Sequence, residues 1–98
     1  MWRDGPALVA FRSCEAITKL HIGNGVTKIG VHAFSHCFAL EELHIPDSVQ
    51  IINDFAFYNC KALNDVHIGD GVTNVGWSAF GDCRALTELR IPDSVTQI

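Results

Sequence analysis

Residues able to do chemistry recur in register along this 98-residue chain: His21, His44, His67 and Arg90 stand 23 positions apart, and two positions before each come Lys19, Glu42, Asp65 and Glu88. Side chains two apart in an extended segment share one face, so imidazoles and carboxylates are gathered into two adjoining columns. Such a stripe suits recognition of a partner, with a charge that rises just below neutral pH as imidazole protonates. It equally suits mutual neutralisation, because opposite charges on neighbouring strands stabilise a sheet with no ligand at all. A divalent ion held by His44, His67, Glu42 and Asp65 is the sharper alternative, all four being imidazole or carboxylate ligands. A flat ladder of side chains does not enclose an ion, and no metal site is expected.

The remaining reactive residues point to structure. Cys14, Cys37, Cys60 and Cys83 occupy one column, each three residues after Phe11, Phe34, Phe57 or Phe80 and two before Ala16, Ala39, Ala62 or Ala85. Unpaired Cys is among the most buried residue types. These four therefore read as buried free thiols, and a straight ladder of them cannot supply the converging tetrahedral set that zinc needs. Asn24, Asp47, Asp70 and Asp93 form a turn column; stacked carboxylates suit calcium, but Asn and Asp are preferred turn formers for local reasons. Catalysis has little to work with, since the thiols point inward, the histidines outward, and a nucleophile needs an orienting base beside it. Gly23-Asn24-Gly25 lacks the G-K-[ST] of a phosphate loop. Neither enzymatic activity nor a cofactor is expected.

These columns require a repeating scaffold. A 23-residue period implies stacked coils, each burying its apolar face against the next. In the coil from Phe34 to Ala56, Ala33, Phe34, Cys37 and Leu40 have helical spacing, predicting a short helical turn with one buried face. Leu40, Leu43 and Ile45 then switch to the alternation of a short strand, with His44 facing out. Pro46-Asp47-Ser48 makes the turn, and Val49 and Ile52 lead the chain back. The same strand column holds Ile17, Leu20 and Ile22, then Leu63, Val66 and Ile68, then Leu86, Leu89 and Ile91; the return column holds Val26, Val49, Val72 and Val95. Turns alternate between Gly-Asn/Asp-Gly and Pro-Asp-Ser, so coils pair into a double repeat. Gly30 and Gly76 share a position with Asn53, which suggests positive φ there. Trp77 takes the place of Val31 and Asp54 near the helical turn, where it either stands exposed on the convex rim or, as expected here, packs against the next coil.

The result is one domain, an α/β solenoid: an irregular lead-in over residues 1–10, coils over 11–33, 34–56 and 57–79, and an incomplete coil over 80–98. The net charge of −4 and the lack of a basic cluster argue against a nucleic-acid partner. No apolar run is long enough to cross a bilayer, and the first residues lack a signal peptide's apolar stretch.

Strand L-x-x-L-x-I-P-D-S-V, a return such as Val72-Thr73-Asn74-Val75-Gly76, and Ala-Phe-x-x-Cys-x-x-Leu together resemble the BspA-like, or Treponema pallidum-type, leucine-rich repeat, over about Ala10 to Ile98. The resemblance implies a right-handed leucine-rich-repeat solenoid with its parallel strands on the concave side. It further implies a protein-binding module without catalytic machinery, in many relatives part of a surface adhesin. Protein contact is then expected on the concave face, at Lys19, His21, Glu42, His44, Asp65, His67, Glu88 and Arg90. Surface relatives carry a secretion signal and longer arrays. The chain on this reading is cytoplasmic if complete and at the cell surface if part of a longer protein. An open coil at Ile98 gives the rival expectation, a structural unit that self-associates end to end, since unpaired edges invite pairing.

Overall fold

The computed structural model describes residues 17–87 and 89–95, together with the backbone of residues 7–8. Phe11, Cys14, Glu88, Ile98 and the other positions outside these ranges are not part of the description that follows. Seven short strands make two parallel sheets. β2 (Lys19–His21), β4 (Glu42–Ile45) and β6 (Asp65–Ile68) form one, and β1 (Ala7–Leu8), β3 (Lys28–Ile29), β5 (Ile51–Ile52) and β7 (Asn74–Val75) form the other. Register follows the repeat: Leu20 pairs with Leu43 and Leu43 with Val66, while Ile29 pairs with Ile52 and Ile52 with Val75. The lead-in, expected to be irregular, supplies β1, which pairs with β3.

The core lies between the sheets, filled by the columns that the spacing predicts. Phe34, Phe57, Leu40, Leu43, Leu63, Val49, Val72, Ile29 and Ile52 are fully buried. The Phe34, Phe57 and Phe80 rings stack nearly parallel, with centroids 5.3 and 5.4 Å apart, a little more than the spacing of about 4.8 Å between parallel strands. Burial on one side of each strand forces the alternate residues outward, and this sets Lys19 and His21 beside a buried Leu20.

The predicted helical turns are absent among the described residues. Over 31–36, 54–59 and 77–82 the chain forms successive turns instead. Alternate N–H groups there donate sideways to the next coil: His32 to Asp54 O, Phe34 to Ala56 O and His36 to Tyr58 O, then Phe55 to Trp77 O, Phe57 to Ala79 O and Asn59 to Gly81 O. An amide bonded to a neighbouring coil cannot also bond within a helix, so stacking takes precedence over local helical spacing. The kinks that permit this fall on His32, Phe55 and Ser78 and on His36, Asn59 and Asp82, all at positive φ.

No described glycine has positive φ, which overturns that expectation for Gly30 and Gly76. Gly76 serves close approach: a Cβ there would overlap the backbone N of Asp54. The alternation of turns has a similar origin. A Cβ on Gly69 would lie 2.6 Å from Pro46 C, and one on Gly71 would overlap Asp47 O, so the glycine turn makes room for the proline turn stacked on it. In return Ser48 and Ser94 of the proline turns donate their hydroxyls to Val26 O at 2.8 Å and Val72 O at 2.7 Å.

Candidate functional site

The outer face of the β2–β4–β6 sheet carries the predicted columns. Because Lys19, Glu42 and Asp65 are register partners, as are His21, His44 and His67, the imidazoles stack: His21 on His44 at 4.3 Å with planes 24° apart, and His44 on His67 at 4.5 Å with planes 12° apart. Imidazole–carboxylate pairing runs along each strand, between residues two apart. His44 Nε2 lies 3.2 Å from Glu42 Oε2, and His67 Nε2 lies 3.5 Å from Asp65 Oδ1. The carboxylate only accepts, so Nε2–H of His44 is the donor to Glu42. These side chains are accessible, His67 and Asp65 at 62% and 54%, His44 and Glu42 at 39% and 30%. Lys19, His21 and Arg90 are also exposed, and a shallow depression below His67 is lined by Val66, Ile68, Asp70, Arg90, Ile91 and Asp93.

Of the predicted contact residues, the structure thus gathers Lys19, His21, Glu42, His44, Asp65, His67 and Arg90 on one face; Glu88 lies outside the described residues. Among the described residues, the His, Cys, Asp and Glu side chains that converge are those of His21, Glu42 and His44, whose ligand atoms all lie within 4.8 Å of one another. The set weighed from the sequence, with His67 and Asp65, is not the one that converges.

The cysteine column divides. Cys60 and Cys83 are free and buried, and each thiol donates to a carbonyl of the preceding coil, Cys60 to Phe34 O at 3.3 Å and Cys83 to Phe57 O at 3.2 Å. The neighbouring Cys83 thiol, reinforced by burial, pushes the Cys60 pKa well above the usual thiol range. Cys37 is disulfide-bonded, contrary to the expectation of a free thiol; the stacking distance of neighbouring coils falls within the Cα range a disulfide spans.

The turn aspartates act as structural acceptors. Asp47 Oδ1 takes the Asp70 backbone N–H at 2.8 Å, and Asp54 Oδ1 takes that of Trp77 at the same distance. A second exposed feature lies on the turn side, at the Trp77 that the sequence singled out. Trp77, 72% exposed, packs edge-on against Phe55 of the preceding coil, whose ring meets Tyr58 edge-on and stacks on His32. Trp77 thus leans on the coil before it. The column signal was weak because His32, Phe55 and Ser78 share only a backbone conformation.

Two parallel sheets built from coils of leucine-rich spacing, with an apolar core between them, define a leucine-rich-repeat protein. The pattern of the BspA type leucine rich repeat region (6 copies) matches residues 8–98, and the chain belongs to that family. Among solved structures it is similar to a leucine rich cell surface protein of Faecalibacterium prausnitzii, with TM-score 0.87 and 35% identity over 94% of this chain and 24% of that one. It is also similar to a leucine-rich repeat protein of Bacteroides capillosus, with TM-score 0.86 and 30% identity over all of this chain and 80% of that one. The T. pallidum leucine rich repeat protein shares the fold, with TM-score 0.85 at 24% identity over 98% of this chain and 52% of that one. The chain therefore spans about a quarter of the Faecalibacterium protein's length. Comparison with curated proteins finds no match.

Proposed function

We propose that this chain is a non-enzymatic protein-binding module whose contact surface is the outer face of the β2–β4–β6 sheet, the side expected to be concave. The observation that carries this reading is the repeated row of solvent-accessible imidazoles and carboxylates on a sheet, half-buried at Glu42 and His44 and exposed at Asp65 and His67. Side chains held at strand spacing present a fixed pattern of donors and acceptors at little ordering cost, which favours specificity. The rows beside them extend the surface with opposite charge at Lys19 and Arg90. A partner with a mixed-charge patch complements this arrangement. A non-catalytic role is supported by thiols that face the core while the histidines of the sheet face outward. Membership of a family that includes a cell surface protein makes a surface-adhesion role the natural setting.

The test is affinity capture with the immobilised chain and with the His44→Ala/His67→Ala double variant side by side. Partners captured by the parent and lost from the variant, with Tm changed by less than about 2 °C, support the reading, since exposed substitutions cost little stability. Equal capture by both moves the contact elsewhere. A large fall in Tm makes the imidazole column structural.

A further inference from the structure

We infer that His21, Glu42 and His44 form a binding site for a divalent transition-metal ion of the zinc class, independent of any protein partner. Two imidazoles and a carboxylate with an open fourth position are a donor set suited to zinc. The first requirement is convergence. At metal–ligand bonds of about 2.0–2.1 Å, the edge of a tetrahedron is about 3.3 Å; His44 Nε2 and Glu42 Oε2 are already 3.2 Å apart. One ligand atom from each of His21, Glu42 and His44 lies within 4.8 Å of the others, and rotation of the exposed His21 side chain out of its stack closes the remaining gap.

The second requirement is that this row be preferred over the next. His21 and His44 are tilted by 24°, whereas His44 and His67 are nearly parallel at 12°. Stacked rings aim their in-plane lone pairs side by side, so His21 must turn out of the stack to share an ion with His44, and its ring is the less parallel of the two to that of His44. Glu42 also reaches further than Asp65 by one methylene, and its pair with His44 is more sheltered than that of Asp65 with His67. Sheltering removes competing water and strengthens the attraction between cation and carboxylate.

Capture shifts a proton within the imidazole. In the metal-free chain a proton on His44 Nε2 bridges to Glu42; on capture the ion takes the Nε2 lone pair and the imidazole carries its proton on Nδ1 instead, so a neutral His44 releases no proton and only an imidazolium gives one up to solvent. Nitrogen donors select copper, zinc and nickel over calcium and magnesium, which prefer all-oxygen shells.

The experiment is calorimetric titration of the intact chain with zinc chloride near pH 7.5. One ion per chain with a dissociation constant on the order of micromolar is expected. His21→Ala and His44→Ala should each weaken binding at least about tenfold, Glu42→Gln should do so while conserving shape, and His67→Ala should stay within about twofold. Calcium and magnesium chloride should give no heat. Absence of zinc heat up to about 1 mM overturns the inference, as does undiminished binding by His44→Ala, which would implicate the thiols. Loss in His67→Ala with retention in His21→Ala would place the ion in the second row and overturn it equally.

Discussion

Replacing Phe57 with Ala probes the column that organises the whole stack. Its ring is fully buried and lies between those of Phe34 and Phe80 at 5.3 and 5.4 Å. Truncating a buried Phe to Ala costs about 3–5 kcal/mol, and each stacked aromatic pair adds about 0.5–1.5 kcal/mol beyond area alone. With a ring on both sides the cost belongs at the upper end, about 4–5 kcal/mol. Phe80 is only partly buried, so Phe80→Ala should cost about half as much, roughly 2 kcal/mol. Against a total stability of about 5–15 kcal/mol, the first change brings the chain close to unfolding and the second does not. Urea unfolding followed by circular dichroism reads the difference. At slopes of about 1–3 kcal/mol/M, Phe57→Ala should lower the midpoint by at least about 1.5 M, and Phe57→Leu, which keeps most of the volume, should cost less than about 1.5 kcal/mol. A Phe57→Ala cost below about 2 kcal/mol, or one no larger than that of Phe80→Ala, would refute a stability built on the stacked core.

Two further predictions concern the backbone and the thiols. Gly76→Ala should destabilise by more than about 2 kcal/mol because its Cβ overlaps the Asp54 amide, while Gly23→Ala, with open space around it, should stay within about 0.5 kcal/mol; equal thermal shifts would sink the close-approach account. Cys60 and Cys83 should resist a thiol reagent in the folded chain and react on denaturation, since both are buried. The raised Cys60 pKa means the folded state favours the neutral thiol, so its contribution is intact below the ordinary thiol range and declines as pH rises through that range. Cys60→Ala should flatten this alkaline loss in a pH series of thermal melts, and an unchanged slope would show the linkage to be wrong.

Position and burial were legible wherever one residue type repeats. Phe34 and Phe57, Leu40 and Leu63, and Val49 and Val72 declare their inward columns because every coil must fill the same volume, and the outward place of His44 and His67 follows from alternation beside Leu43 and Val66. The turn segments misled because Ala33, Phe34, Cys37 and Leu40 have helical spacing, yet their amides serve the adjacent coil. Gly76 misled in another way. Its type signals either freedom of φ or lack of a Cβ, and the second applies.

For this chain the sequence by itself determined the period, the two inner columns, the exposed imidazole and carboxylate stripes and the family, because each is a property of one coil copied along the chain. Only the tertiary structure decided what happens between coils. It placed the kinks at His32 and His36 and their counterparts, matched glycine turns to proline turns, separated the disulfide-bonded Cys37 from the free Cys60 and Cys83, and drew His21, Glu42 and His44 closer than the row below. These depend on ring tilts and on hydrogen bonds of 2.8 Å between neighbours 23 residues apart, which residue type and spacing do not encode.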